Sequence, residues 1–166
     1  MCSSDLNNLA TLYLDTNQGA KAEEAMARAL PKYERLLDPE APELALVLGN
    51  MFTILTTEHR TDEGEPYLQR ALAIGRKAFP GSLKMANLEL CQASLEAHRA
   101  NYKEAAELLK GVIATQERLL GPEHPEVAHS LAAYATVLRH MHQKSEAKTV
   151  LNRANWILKS ALSDVK

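Results

Sequence analysis

Cysteine is nearly absent, with only Cys2 and Cys91 in 166 residues. Two thiols cannot make a disulfide framework, and their scarcity points weakly to a reducing compartment, so a cytoplasmic location is expected. Glycine and proline number seven each and aromatics make up 5%, too few for a turn-rich β-sandwich. Charge of one sign is missing too: 19 Lys and Arg against 21 Asp and Glu leave a net charge of −2. That balance gives no electrostatic reason to expect nucleic acid or an acidic membrane as a partner. No apolar run comes near the ~18–20 residues of a membrane span. What is present, 46% hydrophobic and 24% charged residues, belongs to a folded, mostly helical chain rather than a disordered one. The length fits about one domain that can bury a core without metals or crosslinks.

The chain repeats itself. Three connectors resemble one another: Leu37 to Ala45 (LDPEAPELA), a degenerate Phe79 to Ala86 (FPGSLKMA), and Leu120 to Ala128 (LGPEHPEVA). Small residues recur with them at Ala22, Gly64, Ala105 and Ala147, separated by 42, 41 and 42 residues. The short step matches the middle connector, which has eight residues where the others have nine. A fixed period of this size marks a repeat architecture.

Each repeat reads as two helices. Leu6, Leu9, Ala10 and Tyr13 follow the i, i+3, i+4, i+7 spacing of one helical face, and Leu131, Tyr134, Ala135 and Leu138 reproduce it. A second segment answers in each repeat, as with Ala22, Met26, Ala29 and Leu30, then Ala147, Leu151 and Ala154. Pro42 and Pro125 suit the first position of a helix, where the missing N–H costs nothing. Asn101-Tyr102-Lys103-Glu104 has capping-box-like spacing. The small row lets the second helix of each repeat approach the first closely, with Ala10, Ala93 and Ala135 serving from the other side. Phe52 stands in that small place in the second repeat, nearly opposite Gly64, and bulk on one helix is expected to fill the space left by the other.

These residues resemble the tetratricopeptide repeat, in its 42-residue variety like that of kinesin light chains. Leu6-Asn7-Asn8-Leu9-Ala10-Thr11-Leu12-Tyr13, Glu65-Pro66-Tyr67-Leu68-Gln69-Arg70-Ala71-Leu72 and the stretch from Leu120 to Ala128 carry the likeness over about residues 6–163. It implies an all-α solenoid, a right-handed superhelix of about four helical hairpins over residues 1–166, with repeats near 4–37, 42–79, 82–119 and 125–163. The common form has ~34 residues, and the longer repeat implies longer helices.

Three departures qualify the pattern. Glu89, Gln92 and Glu96 replace apolar residues on the first helix of the third repeat, which is expected to be the most loosely packed. Pro31 lies inside the second helix of the first repeat, where proline costs about 3 kcal/mol and kinks or ends a helix. The opening Met1-Cys2-Ser3-Ser4-Asp5-Leu6 can be spelled by the end of a common sequencing adapter. We therefore expect residues 1–6 to be non-native and the natural chain to continue upstream, this stretch being the C-terminal part of a longer repeat protein. Nothing in it resembles a signal peptide. Asn155 stands where Leu30, Leu72 and Ile113 stood, so the fourth repeat reads as a terminal one.

Catalysis finds no foothold. His140-Met141-His142 has i, i+2 spacing, which points two rings apart on a helix, whereas a zinc pair wants i, i+4 or a Cys/His cluster. His124 belongs to a connector and reads as structural. Cys91 has no basic neighbour to make it a thiolate. No phosphate loop or nucleophile elbow occurs. No catalytic residue, metal or cofactor is expected, and Lys144, Lys148, Arg153, Lys159 and Lys166 read as a solvated helix face.

The remaining resource is surface. In the resembled family the first helices line the inner wall, which here comprises Asn7, Asn8, Thr11 and Asp15, then Gly49, Asn50, Thr53 and Thr57. It continues with Asn87, Leu90, Cys91, Ser94 and His98, then His129, Ala133, Thr136, Arg139 and His140. The expected peptide-binding residues are Asn8, Thr11, Asn50, Thr53, Ser94, His98, Thr136, Arg139 and His140. Asparagine amides can pair with both the N–H and C=O of an extended segment. Asn8 and Asn50 are expected to face solvent, and Arg139 and His140 to add positive potential. The expected function is a non-enzymatic scaffold that binds a protein or peptide in a concave groove, with no nucleic acid or membrane partner. Self-association through exposed array ends, as a structural or oligomerisation segment, is the alternative, as is a regulatory arm of a larger signalling protein.

Overall fold

The computed structural model describes residues 3–163, without the side chains of Ser3, Ser4, Asp15 and Ser163. The readings placed on Met1, Cys2, Lys166 and the Asp15 side chain lie outside the described residues. Every regular element among those residues is an α-helix: α1 (Ser3–Asp15), α2 (Gly19–Leu36), α3 (Pro42–Thr57), α4 (Thr61–Ala78), α5 (Leu83–His98), α6 (Tyr102–Leu120), α7 (Pro125–His140) and α8 (Lys144–Ser163). They pair in chain order as α1–α2, α3–α4, α5–α6 and α7–α8. These are the helical hairpins that the spacing predicts, in the all-α class expected. The chain forms two compact units, divided after Pro80. In the first, α3 packs on α2; in the second, α7 packs on α6.

The hairpin turns share one device. Asn17, His59, Ala100 and His142 take φ of 55°, 60°, 61° and 62°, left-handed values that disfavour a Cβ. In each turn the next residue donates its N–H five residues back: Gln18 to Tyr13, Arg60 to Leu55, Asn101 to Glu96 and Gln143 to Leu138, at 2.7–2.9 Å. The left-handed residue donates three residues back, as in His59 to Thr56. Together these bonds satisfy the last carbonyls of each first helix in the Schellman pattern. His59 and His142 are thereby placed as turn residues. At the other ends Pro42 and Pro125 open α3 and α7, and His124 Nδ1 accepts the Glu126 N–H at 3.2 Å.

Small residues sit at the hairpin cores. Ala10, Ala22, Ala93 and Ala105 are at most 1% exposed. The expected exchange of bulk is present in the second hairpin: a Cβ built on Gly64 falls 2.9 Å from Phe52 Cδ2. Leu6, Met26, Leu44, Leu48, Leu55, Leu68 and Leu72 complete the core of the first unit. In the second unit Ala106, Leu109, Ile113, Leu131, Tyr134, Val137, Leu138 and Ile157 belong to one cluster.

One local detail is decided and one is corrected. Pro31 lies inside α2, as expected, and the helix runs on to Leu36 without ending there. The carbonyl deprived of its N–H partner belongs to Ala27, and both residues are exposed, where water can serve it. Asn101 precedes α6 but makes no side-chain cap. Its Nδ2 donates instead to Glu96 Oε2 at 2.8 Å. Glu96 is only 8% exposed, and a buried carboxylate needs a partner more than a helix end open to water does.

Candidate functional site

In the first unit the polar positions of α1 and α3 come together through one bond. Asn50 Nδ2 donates to Asn7 Oδ1 at 3.1 Å, and Asn50 is half-buried, not open to solvent as expected. The pairing therefore involves Asn7, while Asn8, one residue on and about 100° around the helix, is exposed. Thr11 and Thr53 spend their hydroxyl protons on their own helices, donating to Asn7 O and Gly49 O at 3.1 Å each. Thr11 keeps oxygen lone pairs for accepting.

In the second unit α5 and α7 flank a groove of about 390 Å³. Leu90, Ala93, Ser94 and Ala97 come from α5, and His129, Ala133, Thr136 and Val137 from α7, with Leu109 of α6 as floor. The α5 residues have i, i+3, i+4, i+7 spacing, one stripe of one helix. Small side chains on both walls keep the groove open, and its polar groups sit at the rim. Of the expected binding residues, Ser94 and Thr136 line this groove, while His98 is exposed and does not. Thr136 Oγ1 donates to Ala132 O at 3.1 Å, as the other threonines do within their helices.

Arg139 and His140 line a different space. With Thr136 they form one wall of a cleft of about 680 Å³, whose other wall is Lys144, Ala147, Lys148 and Leu151 of α8. The His140 ring stacks on Tyr102 at the start of α6, with centroids 4.8 Å apart and planes 6° apart. On another side of α7, Tyr134 Oη lies 3.3 Å from Glu146 Oε1. Burial and then that carboxylate push the phenol above its usual value. Sequence reasoning missed the apolar lining of the groove, because Ala93, Ala97, Leu109 and Val137 read as ordinary core. Their register with Ser94 and Thr136 was the available signal.

Among the described residues no group of three or more His, Cys, Asp or Glu could hold a metal ion, and no helix is long and apolar enough to cross a membrane. Cys91 is half-buried, forms no disulfide and lies outside the groove.

Family models described as tetratricopeptide repeat match residues 6–43 and 84–154, about two thirds of the chain together. Among curated proteins none matches. Among solved structures, BtubC (BKLC) from P. vanneervenii is similar with a TM-score of 0.77 and 19% identity, over 97% of this chain and 64% of that one. This chain thus spans less than two thirds of that relative's length. A kinesin-light-chain-type protein of Podosopora anserina with nearly identical TPR-like repeats is similar with a TM-score of 0.60 and 17% identity, over 95% of each chain. A point variant of the latter matches at the same TM-score. At these identities the likeness is one of fold.

Proposed function

Since the chain belongs to the tetratricopeptide repeat family, we propose that it is a non-enzymatic scaffold that binds an extended protein segment along its first helices. Tetratricopeptide repeats are generally protein–protein interaction modules and typically non-catalytic. The observation that carries the finer reading is the α5–α7 groove, an apolar floor under a polar rim. An extended segment turns alternate side chains to opposite sides. One apolar side chain can therefore seat against Leu90, Ala97 and Leu109, while neighbouring main-chain groups reach Ser94, His129 and Thr136. In the first unit Asn8 offers an exposed amide, and Asn50 contributes through its second N–H and its carbonyl oxygen. The scarcity of cysteine supports a cytoplasmic setting.

The test begins with a peptide display screen against the full chain. For a peptide so found, Ala97→Arg should lower affinity at least tenfold with the helical circular dichroism unchanged. Asn8→Ala should weaken a ligand that reaches the first unit by about 0.5–1.5 kcal/mol for each hydrogen bond lost. Lys21→Ala and Lys103→Ala, both away from the proposed surface, should change nothing. Affinity that follows those lysines instead would end the proposal.

A further inference from the structure

The α7–α8 cleft lies outside the groove just described, and the internal repeat indicates what such a cleft holds. On the preceding hairpin α7 packs against α6, and Ala106, Leu109 and Ile113 of α6 are 4%, 2% and 8% exposed. Forty-two residues later the same positions on α8 are Lys148, Leu151 and Asn155. All three are exposed, Leu151 at 37%. The wall changes in the same sense, Ala97 and Tyr102 giving way to Arg139 and Lys144. A seat in the register of a helix site has exchanged most of its apolar rim for cations.

We propose that this cleft docks an acidic amphipathic helix supplied by a partner protein, with carboxylates on Arg139, Lys144 and Lys148 and an apolar edge on Ala147 and Leu151. Arg139, Lys144 and Lys148 make no side-chain hydrogen bond or ion pair among the described residues, whereas Arg60, Arg70, Lys77, Lys110 and Arg153 are all engaged by carboxylates. An apolar helix laid over three such cations would strip their water without replacing it. Carboxylates replace it with charge-assisted bonds, and Leu151 and Ala147 favour a ligand with an apolar side over a plain polyanion. The helical form follows from register, since the equivalent surface of the preceding hairpin is occupied by α7.

The probe is a fluorescein-labelled, helix-forming synthetic peptide of Leu, Ala and Glu, with Leu on one face and Glu flanking it at i, i+4 spacing. A counterpart carries Lys for Glu, and a second carries Gln for Leu. Anisotropy is measured on the full chain at low and high salt. The Glu peptide should bind, weaken with salt, and lose at least tenfold in affinity on Arg139→Glu/Lys148→Glu, which should now prefer the Lys peptide. The milder Arg139→Gln/Lys148→Gln should lose less and gain no preference for Lys. Ala97→Arg, which blocks the α5–α7 groove, should leave this binding unchanged, so the two sites fail separately. Absence of Glu-peptide binding overturns the proposal, as does equal binding of the Glu and Lys peptides. Equal binding of the Gln-for-Leu peptide would make the cleft a plain polyanion site. A concentration-dependent dimer in sedimentation, abolished by Arg139→Glu/Lys148→Glu, would assign the cleft to a second copy, and either result overturns the proposal as well.

Discussion

Replacing Gly64 with alanine adds one methyl at a tight contact of the first unit. A Cβ there lies 2.9 Å from Phe52 Cδ2, 3.4 Å from Phe52 Cα and 3.5 Å from Leu55 Cβ, where carbon atoms prefer ~3.5–4.0 Å. Phe52 is 1% exposed, so its ring has no open side to swing into, and its Cα moves only with α3. Alanine in a helix interior is worth about 0.5–1 kcal/mol over glycine. Overpacking a filled core costs about 1–3 kcal/mol. The clash should win, for a net destabilisation of about 1 kcal/mol. Gly111 supplies the control: it lies exposed on α6, and a Cβ there meets nothing within 4 Å. Gly111→Ala should therefore stabilise by about 0.5–1 kcal/mol. The same chemical change at two sites should differ by about 2 kcal/mol in urea denaturation followed by circular dichroism. Amide exchange in α3 and α4 localises the effect, since repeat proteins open locally. The cost of Phe52→Ala, about 3–5 kcal/mol alone, should shrink in the Gly64→Ala background, because the pair then has small side chains like Ala10 with Ala22 or Ala93 with Ala105. If Gly64→Ala stabilises as much as Gly111→Ala, the contact does not limit packing and the reasoning fails.

Ala100→Gly should stabilise by up to about 1 kcal/mol, because alanine at φ 61° bears a left-handed penalty that glycine does not, whereas Asn17→Gly should stay within about 0.5 kcal/mol. Thermal or urea midpoints decide it, and equal gains at both sites would count against the strain argument. Glu96→Leu should raise stability by about 1 kcal/mol, exchanging a bonded carboxylate for the leucine that Leu55 and Leu138 already represent in register. Asn101→Ala should lower it by about 1–3 kcal/mol by leaving the buried carboxylate short of a donor; opposite signs in amide exchange of α5 are the readout. The Arg60 guanidinium, bonded to Glu63 at 2.8 Å, holds that carboxyl below its usual range. A depressed folded value gives stability that is present above the unfolded value and lost as pH falls through the folded one. Urea midpoints should therefore fall slightly more in the wild type than in Glu63→Gln as pH drops below the usual carboxylate value of about 4.3. The difference should stay small because water screens this exposed pair.

How much of this fold could be read in advance depends on whether a feature is carried by residue type or by geometry. The hairpins were legible because Ala22, Gly64, Ala105 and Ala147 share one requirement, a small side chain, and repeat at 42, 41 and 42 residues. Phe52 against Gly64 was legible for the same reason, since volume must balance across a contact. The turn residues keep the same spacing yet stayed hidden, because Asn17, His59, Ala100 and His142 share a dihedral angle and no chemistry. Asn101 looked like a cap until the burial of Glu96 showed a stronger claim on its amide. The site divides along the same line. Ser94 and Thr136 could be named from their polarity on first helices, but the floor beneath them is apolar and reads as core until two helices stand apart. Lys144 and Lys148 look solvated on a helical wheel of α8 alone. Only when the α7–α8 hairpin is formed does Arg139 of α7 face them across a cleft, and three dispersed charges become one electrostatic feature. A charge belongs to a surface, and a surface of this kind is built by two helices at once, so reading single helices finds the residues and misses the site.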